Sequence, residues 1–112
     1  GKTVHLSNGR TWKTKKAALA HFSSMLARYR DGDRVNDASD ESDLRALIDR
    51  YDRTLSAGEP KAGTGIAFFS RESNSGAGWT TSGFHIHRTD GTSTDFSFYR
   101  AVQLDPTFPR FQ

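Results

Sequence analysis

The spacing of apolar residues changes from a helical period to an alternating one near residue 64, and this change limits the folds open to the chain. Before it, apolar residues recur every three or four positions, which is typical of amphipathic helices. After it, apolar and polar residues alternate, which is typical of strands with one buried face. Helices and strands that are kept apart along the chain predict an α+β fold.

A hairpin and a first helix are predicted at the start of the chain. Asn8-Gly9 lies between Thr3–Leu6 and Arg10–Trp12 and is a strong hairpin signal, since both turn positions need positive φ. Thr14 is expected to cap a helix that runs from Lys15 to about Arg30. Its apolar stripe consists of Leu19, Phe22, Leu26 and Tyr29.

A second helix and three strands complete the prediction. The helix runs from Asp40 or Ser42 to about Arg53, with an acidic outer face that we expect to be solvated. Ser73 to Gly78 is expected to be a flexible connection, and the tail from Leu104 to lack regular structure. The predicted strands are Gly65–Arg71, a stretch within Trp79–Arg88, and Thr94–Phe98 with Phe96 and Phe98 inward.

The order of these elements predicts an N-terminal hairpin, two helices and a three-stranded antiparallel meander. Helices would pack on one face of the sheet and leave the other face at least partly open. At 112 residues the chain fits a single domain, 1–112. Since it begins at Gly1 and not at Met, we expect a piece of something longer, and a catalytic domain fused to it would lie outside this sequence.

Cysteine is absent, which excludes disulfides and thiolate metal sites. No apolar run approaches the ~18 residues of a membrane span, and no signal peptide is visible. We therefore expect a soluble, intracellular domain, cytoplasmic or nucleoid-associated, with no membrane partner.

Charge is unevenly distributed along the chain. Residues 1–30 hold seven Lys or Arg and no Asp or Glu, whereas residues 31–60 hold nine acidic residues against four basic ones. A basic region of this kind attracts phosphate, although basic residues lining the solvent face of a helix would give the same count. The first reading predicts nucleic acid as the partner.

The second half of the chain carries a string that resembles a known family. Phe84-x-Ile86-x-Arg88-x-Asp90-Gly91 is followed by Asp95-Phe96-Ser97, aromatic residues and Arg100. In the first half, Trp12 to Ala17 is similar to an aromatic-Lys-Ser-Lys-x-x-Ala helix entry. Over roughly residues 10–102 the chain resembles the DCL-like family, named for defective chloroplasts and leaves.

The resemblance implies an accessory RNA- or DNA-binding domain and no catalysis. Plant members of that family are associated with organellar ribosomal RNA processing, and a related domain ends a plant RNA polymerase subunit. Two departures affect what is carried over. Tyr51-Asp52 stands where the family commonly has His-Pro, and Phe98-Tyr99-Arg100 stands where it often has Tyr-Arg-Lys.

Candidate nucleic-acid contacts fall into two groups. The first combines cations with an aromatic ring, which suits phosphate contacts and base stacking, although Trp12 also fits a core anchor. The second lies on the alternating strands, where His85 and His87 share a face that an open sheet would expose to a nucleotide. The candidate residues are Arg10, Trp12, Lys13, Lys15, Lys16, Arg28, Arg71, His85, His87 and Arg100.

Metal binding and catalysis are not expected. A zinc site would need a third ligand beside the two strand histidines, and only His5 and Asp95 are sensible candidates. Asp90-Gly91 is first a turn signal, and no nucleophile elbow or phosphate-binding glycine loop occurs. We predict no cofactor, and a hydrolase or nuclease ranks last among the functions considered.

The predicted function is therefore a non-enzymatic accessory domain that binds RNA or DNA through its basic patch and open sheet face. The alternative is a protein–protein adaptor of a larger nucleic-acid-processing protein, docked through the sheet or the acidic second helix. Measurable oligonucleotide binding with a steep salt dependence would distinguish the first from the second.

Overall fold

The computed structural model describes residues 3–54 and 59–106, and it has the predicted α+β architecture. A two-stranded hairpin and two helices precede a three-stranded antiparallel sheet, and a short third helix follows. The predicted tail beyond Pro106 lies outside the described residues. In chain order the elements are β1 (Val4–His5), β2 (Thr11–Trp12), α1 (Lys15–Ala27), α2 (Ala38–Asp52), β3 (Ile66–Gly76), β4 (Trp79–Arg88), β5 (Ser93–Phe96) and α3 (Phe98–Gln103).

The β1–β2 hairpin turns on one glycine. Gly9 has φ 91° and no non-glycine residue has positive φ among the described residues, so the expectation that Asn8 would also take it is wrong. The Leu6 amide donates to the Arg10 oxygen at 2.9 Å, and the Gly9 amide donates to the Leu6 oxygen at 3.0 Å. This is a longer loop than the two-residue type that was expected. The Asn8 side chain is instead held by α2, where it donates to Asp43 at 2.9 Å.

α1 begins where predicted, because the Thr14 hydroxyl accepts a hydrogen bond from the Ala17 amide at 3.0 Å. It ends at Ala27, ahead of the predicted Arg30. α2 begins earlier than predicted, at Ala38, because Asp37 caps it and accepts from the Asp40 amide at 2.9 Å.

The acids of α2 are not all solvated, which corrects the expected acidic outer face. Asp40 is 4% exposed and Asp43 is 2% exposed. Buried carboxylates need partners, since an unpaired buried charge is costly. Asp40 finds its partners in the two residues that follow α1, and Asp43 finds its partners on α1 and on the β1–β2 hairpin.

β3 pairs with β4 along its whole length, with Phe69 opposite Ile86 and Gly76 opposite Trp79. β4 in turn pairs with β5, with Phe84 opposite Phe96. The strand order is β3-β4-β5. The predicted flexible connection is wrong for residues 73–76, because these polar residues pair with residues 79–82 across a long hairpin.

Residues 32–35, which lie between α1 and α2, run along the outer edge of β3. The Gly32 amide donates to the Arg71 oxygen at 2.6 Å, and the Arg71 amide donates to the Asp33 oxygen at 2.9 Å. The Val35 amide donates to the Phe69 oxygen at 2.9 Å. These bonds cover one edge of the sheet and bring residue 34 onto its surface.

The predicted third strand ends early, at Phe96, and Phe98 begins α3 instead of continuing the strand. The Ser97 hydroxyl caps the helix by accepting from the Arg100 amide at 3.1 Å. Phe98 still contacts the core, but it does so from a helix.

The core lies between the helices and one face of the sheet. α2 packs on β3 and α3, and α1 packs on α3 and β2. Among the described helices, none is long and apolar enough to cross a membrane. The fully buried large side chains are Val4, Phe22, Met25, Leu44, Leu47, Ile48, Phe69, Phe84, Ile86 and Val102.

Candidate nucleic-acid interface

The face of the sheet opposite the helices carries rings and polar side chains. Cross-strand partners share a face, so the pairing of Phe68 with His87 and of His85 with Asp95 places all four on this surface. The alternate residues Phe69, Phe84, Ile86 and Phe96 are buried in the core. The predicted placement of the two histidines on one face is confirmed.

Three side chains form a stack at one end of this face. The guanidinium of Arg34 lies over the Phe68 ring at 4.2 Å from its centroid. On its other side the Phe68 ring stacks on His87, with centroids 4.2 Å apart and planes 9° apart. We call this set the Arg34–Phe68–His87 stack. It presents a cation and an imidazole at the surface, on either side of a phenyl ring.

Hydrogen bonds fix the imidazole of that stack. The Ser70 hydroxyl donates to Glu72 Oε2 at 2.6 Å, and His87 Nε2 lies 2.8 Å from the same hydroxyl oxygen. Because the hydroxyl proton is directed to Glu72, His87 Nε2 carries a proton and donates to Ser70. The serine is only 3% exposed. The histidine donates to the serine, so this arrangement does not activate a nucleophile.

The second histidine is held in a similar way. His85 Nε2 lies 2.9 Å from Asn74 Oδ1 on the neighbouring strand. Asn74 is in the part of β3 that was predicted to be a flexible connection. The open face is therefore a surface whose histidines are already oriented.

The N-terminal cations are largely paired inside the molecule. Arg28 makes two hydrogen bonds to Asp40, at 2.8 and 2.9 Å. Arg10 Nε lies 3.6 Å from Asp43 Oδ1. The expectation of unopposed cations is wrong for these residues, because the buried acids of α2 neutralise them.

Lys15 is also engaged, at the far end of the chain. Its Nζ donates to the Gln103 oxygen at 2.6 Å and lies 3.1 Å from Asp105 Oδ1. Lys13 and Lys16 are exposed, and neither has an ion pair with another described residue. Of the cations predicted to form the patch within residues 10–28, only these two lysines have no ion pair with a described residue.

Trp12 acts as an anchor between the hairpin and α1. Its ring lies 5.0 Å from His21 and 5.7 Å from Phe22, measured between centroids, and it is half-buried. Arg10 lies over the ring at 5.3 Å. These contacts with the core explain the position of Trp12 without any role in nucleotide binding.

The two remaining candidates lie apart from the histidines. Arg71 pairs with Phe84 in register, so its side chain lies on the helix-facing side of the sheet and not beside the histidines. There it donates to the Leu26 oxygen at 2.8 Å and to Asp31 at 2.9 Å, which ties the end of α1 to β3. Arg100 lies on α3 and lines a cavity beside β5.

Sequence reasoning missed Arg34 and Asn74, since Asn74 lies in the predicted flexible connection and Arg34 lies between the two predicted helices. The alternation Phe68-Ser70-Glu72 continues to Asn74 and was the available signal for the second. No local signal indicates the first. His5, which was considered with Asp95 as a third ligand for an unexpected zinc site, lies in β1, where it bonds Thr11 at 3.2 Å.

Within residues 3–54 and 59–106, no group of three His, Asp or Glu side chains is arranged to hold a metal ion. In the same ranges every buried side-chain nitrogen or oxygen has a hydrogen-bond partner. The polar side chains of the interior are thus satisfied by the protein itself.

Residues 23–102 match the sequence model of a family described as "Protein of unknown function (DUF3223)". The fold is similar to the solution NMR structure of an uncharacterised protein from Rhodospirillum rubrum, at 31% identity and a TM-score of 0.72. That similarity covers 90% of this chain and 88% of the other. Among curated proteins, none matches the chain.

The family match corrects the resemblance drawn from the sequence. The matching family is one without an assigned function, and neither it nor the Rhodospirillum rubrum protein supports the DCL-like assignment. The string around Asp90-Gly91 and Asp95-Phe96-Ser97 has a structural explanation instead. It encodes the β4–β5 turn, with Gly91 at φ 87°, and the cap of α3.

Proposed function

The chain belongs to the DUF3223 family of unknown function, and from its own surface we propose that it is a non-enzymatic domain that binds single-stranded nucleic acid. The binding surface is the open face of the β3–β4–β5 sheet. Unpaired bases stack on rings and guanidinium planes, and open sheets are a common platform for them.

The Arg34–Phe68–His87 stack carries this proposal. Both faces of the Phe68 ring are occupied by its two neighbours, so a base would stack on the outer side of His87 or of the Arg34 guanidinium. The bonds from His87 to Ser70 and from Ser70 to Glu72 hold the imidazole before any ligand arrives. Orientation in advance lowers the entropy cost of binding.

Phosphate contacts would come from Arg34 and from the two lysines of the original cluster that have no ion pair with a described residue. Arg28 and Lys15 make bonds within the protein. Arg34 is exposed on the sheet side. Lys16 is exposed on α1, and Lys13 is exposed just before it. Fewer available cations imply a shallower salt dependence than seven would give. Each phosphate contact on a single strand contributes a slope of about 0.7.

The experiment is fluorescence anisotropy with mixed-sequence RNA and DNA oligonucleotides, single- and double-stranded, over a range of salt concentrations. Arg34→Ala is expected to lower the salt slope by about 0.7, because one phosphate contact is lost. His87→Ala is expected to weaken binding roughly tenfold at an unchanged slope, because stacking contributes about 1–3 kcal/mol per base.

His5→Ala and Arg53→Ala are the matched controls, since both residues are exposed and lie away from the sheet. Both should bind as the unaltered chain does. Absence of binding to every oligonucleotide at low salt would reject the proposal, and the protein–protein adaptor would take its place. Equal losses in all four variants would also reject it.

A further inference from the structure

A tryptophan is exposed near the tip of the β3–β4 hairpin. Trp79 is the first residue of β4 and pairs with Gly76, the last residue of β3. It is 54% exposed, although most tryptophans are largely buried, because a ring of this size gains much from leaving water. The Arg34–Phe68–His87 stack lies at the other end of the hairpin and does not involve this ring.

The Trp79 ring lies against the main chain of Gly76. A Cβ at Gly76 would lie 2.3–2.5 Å from three atoms of the indole, Cε2, Cζ2 and Nε1. Gly76 is not among the described glycines with positive φ, so its backbone conformation does not require glycine. The position of the ring is therefore what a side chain at residue 76 would disturb. We call these two residues the Trp79–Gly76 platform.

The platform lies on the same side of β4 as the two histidines. Side chains alternate along a strand, so residues 79, 81, 83, 85 and 87 share one side. The pairing of β3 with β4 is regular from Phe68 and His87 to the platform, since its irregularity lies between Ile66 and Phe68. No bulge reverses the alternation within this stretch. The open face that carries His85 and His87 therefore continues along the hairpin to Trp79.

The surface that leads to the platform is polar and uncharged. Residues 73–83 contain no Asp, Glu, Lys or Arg. Asn74 Oδ1 is bonded to His85 Nε2 at 2.9 Å, so the amide N–H groups of Asn74 are left to donate. The neighbouring Thr81 is exposed and adds a hydroxyl. A polyanion would meet no carboxylate along this stretch, and its bases would find neutral hydrogen-bonding groups beside a ring.

From this continuity we infer that Trp79 is a second stacking site for the nucleic-acid strand, at the far end of the open face from the Arg34–Phe68–His87 stack. The inference rests on the proposed function and adds the length of the bound strand. A β-strand rises about 3.3 Å per residue, so residues 79 and 87 lie roughly 25 Å apart along β4. With a rise of about 3.4 Å per stacked nucleotide, a strand of about eight nucleotides reaches both sites.

A protein partner or a second copy of the chain would also cover an exposed tryptophan, since this residue is enriched at protein interfaces. Neither would give a role to the oriented histidines that share the side of β4 with Trp79. Single-stranded nucleic acid uses both, because every base has a face that stacks on an aromatic ring.

The test compares the affinities of a single-stranded decanucleotide and a tetranucleotide, which is too short to reach both sites. The decanucleotide is expected to bind the unaltered chain at least about tenfold more tightly, and Trp79→Ala should remove most of that difference, because one stacked base is lost. Gly76→Ala should do the same while keeping the tryptophan, since its methyl group displaces the ring. Thr80→Ala is the matched control, because Thr80 is exposed on the other side of the hairpin.

NMR of the isotope-labelled chain reports on the ring directly. The chain has two tryptophans, and the side-chain N–H signal that is lost in Trp79→Ala belongs to Trp79. This signal should shift when the decanucleotide is added, whereas that of Trp12, which packs against the core, should not.

A Trp79 signal that does not respond, or an unchanged length dependence in both Trp79→Ala and Gly76→Ala, would overturn the inference. If His87→Ala still weakens binding in that case, the proposed function stands without it. A Trp79 signal that shifts with protein concentration alone, together with a dimer that Trp79→Ala abolishes, would assign the ring to a second copy and overturn the inference as well. Absence of binding to any oligonucleotide would reject the inference and the proposed function together.

Discussion

Arg28 and Asp40 form a two-point ion pair that joins the end of α1 to the first turn of α2. Arg28 Nη1 lies 2.8 Å from Asp40 Oδ2, and Nη2 lies 2.9 Å from Oδ1. The Tyr29 hydroxyl donates to the same carboxylate at 2.7 Å. Burial acts to raise the pKa of Asp40, but the bonds from Arg28 and Tyr29 outweigh it and leave that pKa below its usual value.

Asp40→Asn is expected to destabilise the protein by about 1–3 kcal/mol, because the buried carboxylate loses its charge while its partners remain. Chemical denaturation at neutral pH measures the change. Glu41→Gln, one residue along, breaks only an exposed pair with Arg45 and should change stability by less than about 1 kcal/mol. Equal effects of the two substitutions would contradict the central role of the Arg28–Asp40 pair.

Tyr29 gives a prediction for alkaline pH. Burial, followed by the hydrogen bond to Asp40, raises its pKa to about 12 from 10.0. The folded protein then keeps a proton that the unfolded chain loses above about pH 10, so stability falls as the pH rises from 10 towards 12. Tyr29→Phe should make that fall less steep in thermal unfolding at a series of pH values.

Tyr99→Phe serves as the control for that series, because Tyr99 is exposed and the substitution leaves the Tyr29–Asp40 bond in place. It should reproduce the slope of the unaltered chain. A slope that is the same in Tyr29→Phe would show that the hydroxyl of Tyr29 is not the group responsible.

Arg50 ties α2 to the residues around α3. It is 4% exposed, and it donates to the main-chain oxygens of Ala101, Val102 and Leu104 at 3.1–3.2 Å. Arg50→Met should cost on the order of 3 kcal/mol, since buried carbonyls lose their donors. Arg53→Met, at a residue whose side chain is 43% exposed, should stay within about 0.5 kcal/mol. Urea unfolding of the two variants gives the comparison.

Lys15 and Lys16 are adjacent lysines with different roles. Lys15 bonds the Gln103 oxygen and Asp105, whereas Lys16 is exposed without an ion pair among the described residues. Lys15→Ala should therefore lower the free energy of unfolding by about 1 kcal/mol, and Lys16→Ala should leave it nearly unchanged. A thermal melt of each variant is sufficient, and equal melting temperatures would contradict the assignment.

The sequence predicted those parts of the fold that depend on the spacing of apolar residues close together in the chain. Stripes of apolar residues predicted α1 and α2, and the alternation of apolar and polar residues predicted the strands. Each pattern indicates which side of its own element is buried. Two errors have a common origin. The alternation of Phe96 and Phe98 continued through the cap of α3, and the polar composition of residues 73–76 concealed their pairing with residues 79–82.

The candidate site was less predictable, because contacts of polar side chains depend on residues far away in the chain. His85 and His87 were placed on their face by strand alternation alone. Arg34 reaches the same face only because residues 32–35 lie along β3. Arg71 was named as a candidate contact, but it lies on the opposite face from the histidines, since its placement follows from its register with Phe84.

By itself the sequence determined the α+β class and the order of the elements up to β5, since the periodicity of helices and strands is a local pattern. It also determined that basic residues precede acidic ones. Only the tertiary structure decided what those charges do. The tertiary fold brings Arg28 to Asp40 and Arg10 of the hairpin to Asp43, so that charges separated in sequence neutralise each other in space.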